Sequence, residues 1–449
     1  MQTNTPAIRD VLPAGAFLPG DDGYDAARIS FNGILDRRPA AIVSCASTDD
    51  VVAAVRAGRA AGLPIAIRGG GHSVAGHSLP DGALVVSLDR MRTVDVDPAR
   101  RLAHAGGGAL WDDIDAAAFV HGLAVPGGTF GDTGIGGLTL GGGLGWLMPV
   151  AGLTCDNLVE AEVVTAEGSV VTAGPDSDAD LLWALRGGGG NFGVVTRFTF
   201  HLTPVAPMWG GTLVYAASAA REVYARFNDV FAAHPTIGMP TIAIHQDPDV
   251  GPSISVILGI VDGSEPTEIV DWLRRDLPIT SDDVGPRTYL ELQAMAGILP
   301  FGLRHYWKGH FLRTLDFDTF ERLVEAVSVD DALGEAFILL EGMVGAARIE
   351  PEGGAAFGQR AADWNVSALA IWESPDDDDR AIGWARRVND IVAPLSLTGG
   401  GYVNYSPVDE TAERVMASYG PERYARLVAV KRRLDPDNVF RFNHNIRPD

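Results

Sequence analysis

The order of apolar and polar residues changes character partway along this chain. Within residues 41–205, strand-like and helix-like patterns alternate. "AIVSCA" (41–46) is a short apolar run of the kind that forms a buried strand. "STDDVVAAVRAGRAAGL" (47–63) spaces its apolar residues three and four apart. Ser47 stands as N-cap with Asp50 three residues on, which predicts a helix. "PIAIR", "ALVVSL", "TVDVD" and "LAHAGG", between 64 and 107, predict short strands, and "ALWDDIDAAAFVHG" (109–122) predicts an amphipathic helix. "VEAEVVTAEGSVVTA" (159–173) reads as a hairpin, and "DADLLWALRGGGGNFGVVTRFTFHL" (178–202) as helix, glycine loop and strand.

From about residue 206 the glycines thin out. "TIAIHQ", "SISVILGIV", "HYWKGHFL", "FILLEGMV" and "WNVSALAIWES" predict strands. "AAREVYARFNDVFAA", "PTEIVDWLRRDL", "DTFERLVEAV" and "DRAIGWARRVNDIVAPL" predict helices between them. Strands and helices in that order imply an α+β unit, an antiparallel sheet under one helical layer. After "GGGYVNYSP" (399–407) the chain ends in a polar amphipathic helix and "DPDNVFRFNHNIRPD". With 449 residues the chain exceeds what one core holds, so two or three domains are expected.

Charge and cysteine content narrow the function classes. Thirty-five basic against 58 acidic residues leave −23, which opposes extended contact with nucleic acid or anionic lipid. No stretch is long and apolar enough for a transmembrane helix, and the N-terminal residues do not read as a signal peptide. Cys45 and Cys155 cannot build a disulfide framework, which fits the cytoplasm, and no cysteine spacing suggests a metal.

The chemistry concentrates in glycine. "IRGGGHSVAGHSLPDG" (67–82) sets His72 directly after Gly69, Gly70 and Gly71, residues that let a backbone lie flat against a bulky partner. "PGGTFGDTGIGGLTLGGGLGWL" (126–147) and "GGGGNFG" (187–193) are two further glycine segments. The Gly188, Gly190, Gly193 spacing mimics a dinucleotide fingerprint. It follows a helix and precedes a strand, however, the reverse of what that motif needs. Neither Ser73 nor Ser78 sits in a hydrolase G-x-S-x-G elbow. Backbone N–H groups freed by glycine can hold a pyrophosphate without basic side chains, and a flat ring system can lie along such loops. Flavin adenine dinucleotide (FAD) suits all three segments.

"IRGGGHSVAGHS", "GDTGIGGLTLGGGLGWL", "GLTCDNLVEAEVVTAEGSVV", "DLLWALRGGGGNFGVVT" and "LDPDNVFRFNHNI" together resemble the berberine bridge enzyme-like flavoproteins. These belong to the vanillyl-alcohol oxidase and p-cresol methylhydroxylase superfamily, and the look is that of the bacterial, nicotine oxidase-like branch. The resemblance implies a two-part FAD-binding domain of the p-cresol methylhydroxylase type, residues 1–205 and 400–449, with an inserted α+β substrate domain, 206–399. It implies a bond from His72 to the 8α-methyl carbon of the flavin. It also implies cofactor contacts from Arg68, Gly69, Gly70, Gly71, Ser73, Gly76, His77, Gly128, Thr129, Thr133, Gly136, Gly137, Leu138, Gly141, Gly142, Gly193, Val194, Asn404, Asn443 and Asn445. His77 is expected to brace its loop. Some relatives carry a second, cysteinyl tether; Phe130 occupies that position here, so one covalent link is expected, and Cys155 is expected to pack as a small hydrophobe.

A flavin oxidises by accepting hydride at N5, while the protein supplies orientation and a proton acceptor. The resemblance puts Tyr402 and Tyr405 beside the ring as candidate bases, each needing a lowered pKa. Read as a strand, "YVNY" gives Asn404 a face shared with Tyr402 only. Glu341, ending the apolar run "FILLE", is the third catalytic candidate. Phe337 and Leu339 share its face, which argues for an apolar pocket and against a cationic substrate. "RHYWKGHF" offers Tyr306 or Lys308 to the pocket, with core or surface roles at least as expected. The reading is an FAD-dependent oxidase or dehydrogenase acting on CH–OH or CH–NH of a small organic molecule, with O2 as the favoured electron acceptor. Alternatives are an oxidative cyclase and a flavin-binding protein without turnover.

Overall fold

The computed structural model describes residues 9, 12, 13, 15–328 and 336–449, and its fold is α+β. Three larger sheets organise the described residues. The first is a parallel sheet in the order Ala41–Ser44, Leu84–Ser87, Ile65–Arg68. Its central strand is buried throughout, which explains the unbroken apolar run. Helix Thr48–Ala60 follows the first strand, and Ser47 Oγ accepts the Asp50 backbone N–H at 3.2 Å, as its sequence promised.

A five-stranded antiparallel sheet comes next, ordered Val94–Asp97, Leu102–Gly106, Val194–His201, Leu158–Val164, Val170–Ala173. The third sheet is antiparallel and eight-stranded. Ile279–Asp282, Met208–Ala216, Gly251–Ile260, Thr241–Asp247, Phe337–Gly342, Trp364–Trp372 and Arg304–Leu312 pair in that order, and Gly285–Arg287 also pairs with Met208–Ala216. Helices Ala220–Ala233, Thr267–Arg274, Phe317–Ser328 and Asp378–Val392 bury one face of this sheet through Phe227, Leu273, Phe320 and Trp384. The opposite face is left for the cavity described below.

Four local expectations fail for identifiable reasons. Met208–Ala216 is a strand near the edge of the large sheet, hidden in the sequence by Gly210 and Gly211. The glycine-dense segment contains a short helix, Ile135–Leu140, where buried Ile135 and Leu140 outweigh the low helix propensity of glycine. "VNY" (403–405) forms a 3₁₀ turn, not a strand. The expected single C-terminal helix is two, Ala412–Tyr419 and Pro421–Leu434, broken at Gly420 with φ 75°.

Residues beyond 400 pack against early ones. Val415, Leu427, Val430 and Ile446 share a buried cluster with Trp183 and Phe198, and Phe440 bridges Ile65 in parallel. Lys431, fully buried, donates to the Asn191 and Phe440 carbonyls and pairs with Asp435 at 2.6 Å. Among the described residues no helix is long and apolar enough to cross a membrane.

Candidate active site

The glycine segments and the uncovered face of the large sheet enclose a cavity of about 770 Å³, toward the upper end of the usual range for ligand pockets, about 300–1,000 Å³. Gly69, Gly70, Gly71, His72, Ser73 and His77 reach its wall from the loop after Ile65–Arg68. Gly128, Thr129, Phe130, Thr133, Gly136, Gly137, Leu138 and Gly141 reach it from the second segment, and Gly193 from the third. Tyr402, Asn404, Tyr405 and Asn443 come from the C-terminal part, and Glu341 from the large sheet. A Cβ on Gly70 would lie 2.4 Å from the Gly134 nitrogen, so these two loops meet only because neither has a side chain there. A Cβ on Gly141 would lie 2.0 Å from Asn404 Oδ1, where the C-terminal turn docks.

Five predicted cofactor residues stand behind the wall. The Arg68 guanidinium is spent on the Ala27 and Ile29 carbonyls, bracing the N-terminal segment. Gly76 gives room to Leu35, and Gly142 to Phe357. Val194 pairs with Val164 inside the five-stranded sheet, and Asn445, just past Asn443, is half-buried with its Oδ1 out of solvent. Among the described residues neither lysine nor arginine lines the cavity.

His72 is held from two sides. Its ring stacks on Phe31 at 4.3 Å, and Phe301 meets it edge-on at 5.4 Å. Nε2 is buried 3.1 Å from Asp132 Oδ2, close enough for an ion pair although not aligned for a linear hydrogen bond. His77 braces its loop through the backbone, donating its N–H to Ser73 Oγ at 3.0 Å, while its ring meets His444 edge-on. Burial pushes the His77 pKa down to about 3, so the ring is neutral. Cys155 is fully buried with its thiol pKa raised by desolvation, and it does not line the cavity.

The 3₁₀ turn at 403–405 brings together side chains that a strand would separate. The Tyr402 hydroxyl accepts from Asn404 Nδ2 at 2.9 Å and from the Gly143 and Leu144 N–H groups at 3.0 and 3.3 Å. The Tyr405 ring lies 4.8 Å from that of Tyr402 and donates its hydroxyl to Glu341 Oε1 at 3.3 Å. Asn365 Nδ2 donates to Glu341 Oε2 at 2.8 Å. Desolvation raises the Glu341 pKa to about 7, offset by the hydrogen bonds from Asn365 and Tyr405. Both tyrosines are pushed up instead of down, by desolvation first and then by the nearby Glu341 carboxylate. The N–H donors on the Tyr402 oxygen oppose that rise without cancelling it, and Glu341 is the group poised near neutrality.

Strand pairing sets the substrate side. Glu341 faces Thr241, Leu339 faces Ala243 and Phe337 faces His245, and all six line the cavity. Trp307 points inward, whereas Tyr306 bonds Asp409 and Lys308 approaches Glu410, so neither offered residue enters. Sequence reasoning missed Asn365, Asp132 and Trp307. The alternation in "TIAIHQ" could have revealed Thr241 and His245. The pairing of Asn365 with Glu341 is a matter of register alone.

Comparison with known proteins agrees with this layout. The FAD binding domain family matches residues 39–174, and the "Berberine and berberine like" family matches residues 401–447. The (R)-6-hydroxynicotine oxidase of Paenarthrobacter nicotinovorans is 32% identical over 96% of each chain. The crystal structure of 6-hydroxy-D-nicotine oxidase from Arthrobacter nicotinovorans superposes with a TM-score of 0.90 at 30% identity, covering 98% of each chain. A glucooligosaccharide oxidase of Acremonium strictum, described with a 6-S-cysteinyl, 8α-N1-histidyl FAD, shares the fold at 24% identity and a TM-score of 0.84, covering 98% of this chain and 99% of that one.

Proposed function

Because the chain belongs to the berberine bridge enzyme-like family of FAD-linked oxidoreductases, we propose that it is an oxidase of a small, largely apolar alcohol or amine, with its flavin tethered once, through His72. When bound, the flavin supplies the hydride acceptor. Glycine faces with open space before them, such as Gly137 and Gly190, and polar atoms without protein partners, His77 Nε2 and Asn443 Oδ1, fit a large polar group against the loops. The division into 1–205 with 400–449, and 206–399, follows the same reading.

One observation carries the catalytic assignment: a buried carboxyl, Glu341, with its pKa near 7, hydrogen-bonded by Tyr405 and Asn365 at the cavity wall. Glu341 takes the O–H or N–H proton of the substrate, and Tyr405 and Asn365 hold its two oxygens in place. Tyr402, with three N–H groups on its oxygen, fastens the turn to the second glycine segment. Leu339, Phe337, Trp307 and Met239 exclude water and favour an uncharged, apolar substrate body. O2 as the acceptor follows from the likeness to the oxidase relatives. Two buried, free thiols suit the reducing cytoplasm.

The test is anaerobic mixing of the purified yellow protein with alcohols, amines and sugars, followed by air. Apolar alcohols or amines should bleach the flavin, and air should restore it. Bleaching by charged or sugar substrates alone would reject the substrate class, and no reoxidation in air would reject the oxidase assignment. In His72→Ala, acid should release the flavin that wild type retains; release from wild type would reject the tether.

A further inference from the structure

The His72–Asp132 pair sits where the first two glycine segments meet, and its geometry is one-sided. His72 lines the cavity but Asp132 does not, and the nitrogen turned to Asp132 is the buried Nε2. The other edge of the ring, Nδ1, is therefore the one presented to the cavity. Stacking on Phe31 and edge contact from Phe301 fix the ring plane, and Phe31 is itself backed by His305 at 4.4 Å. The Asp132 carboxylate is unspent elsewhere: Oδ1 is buried without a hydrogen-bond partner, and no lysine or arginine pairs with it among the described residues. A partly buried carboxylate without a cation is costly unless a positive charge forms beside it.

Resting on the reading that His72 is the tether, we infer that Asp132 is the positioning residue for flavin attachment. Its charge beside Nε2 favours the tautomer with the proton there, leaves the Nδ1 lone pair for the cavity, and offsets the positive charge that grows on the ring as Nδ1 bonds to carbon. A neutral imidazole has one donor and one acceptor nitrogen, and the partner of one decides the role of the other. The 8α-methyl carbon loses a proton, and the electron pair of that C–H bond ends on the flavin ring. Nδ1 bonds to the carbon, and dioxygen then takes the pair with two protons, the one lost by the methyl carbon and the one released from Nε2 of the alkylated imidazole, and leaves as hydrogen peroxide. Carboxylates that orient a metal-bound histidine from behind are worth 10- to 100-fold, and a similar factor is expected in the attachment rate here.

The experiment prepares flavin-free full-length protein, adds FAD and air, and follows the flavin that stays with the acid-precipitated protein. Total bound flavin is measured before acid. Asp132→Asn, which keeps an acceptor for Nε2–H but no charge, should slow attachment about tenfold, and Asp132→Ala about a hundredfold. Both should bind FAD as fully as His72→Ala does, and Asp132→Glu should recover part of the rate. Wild-type flavopeptide should be joined through Nδ1. Attachment at the wild-type rate in Asp132→Ala, or linkage through Nε2, would overturn the inference. So would loss of FAD binding in the Asp132 variants where His72→Ala retains it, since that marks Asp132 as a fold element only. Absence of acid-stable flavin in wild type would instead overturn the tether on which the inference rests.

Discussion

Glu341→Gln separates catalysis from stability in this protein. In the fold the carboxyl is buried between Asn365 and Tyr405, and its pKa rises from 4.5 to about 7. A rise of that size corresponds to about 3 kcal/mol. Its sign is set by linkage: the folded state holds the proton more tightly than the unfolded one. The contribution to stability is present below pH 4.5 and is lost as the pH rises through about 7. Glutamine pays no such penalty. Its oxygen can accept from Asn365 while its amide donates to the Tyr405 oxygen. At pH 8 the variant should therefore be at least as stable as wild type in urea unfolding, with the gap closing toward pH 5. Its flavin reduction, timed by stopped flow with a substrate found in the anaerobic screen, should be slower by about 10²–10⁴-fold, or about 3–5 kcal/mol of barrier. The wild-type rate should climb through about pH 7 as the carboxylate forms, and the variant should show no such limb. Tyr405→Phe removes a hydrogen bond that lowers the Glu341 pKa, so its midpoint should move to higher pH. Reduction at the wild-type rate in Glu341→Gln would refute the assignment, as would slowness that tracks lost stability.

Proteolysis of wild type followed by mass spectrometry should give one flavopeptide, containing His72: on the proposed reading Phe130 takes the second tether position, and Cys155 lies buried away from the cavity. Asp435→Ala strands a fully buried ammonium on Lys431 and should cost about 3–5 kcal/mol in urea unfolding. A chain ending at residue 399 loses Tyr402, Asn404, Asn443 and the packing of Leu427 and Val430, so it should not retain flavin through gel filtration.

Much of this protein is legible in one dimension because its signals are local. Ser47 caps its helix, the buried parallel strands read as apolar runs, and the glycine segments announce themselves as places where backbone meets something large. A five-motif resemblance extended that reading to the cofactor and to His72. Tertiary structure decided what depends on residues far apart in the chain. Burial in the assembled fold raises the Glu341 pKa, and strand register and the C-terminal turn set Asn365 and Tyr405 beside it, whose hydrogen bonds hold it near 7. Tyr402 and Tyr405, expected to need a lowered pKa as bases, have theirs raised by burial and by the nearby Glu341 carboxylate, a shift no local pattern announces. Arg68 sits beside the glycines in sequence, yet turns its guanidinium to the Ala27 and Ile29 carbonyls. Periodicity records which face of an element is buried; which side chains meet across that face is set by the packing of elements that no local pattern encodes.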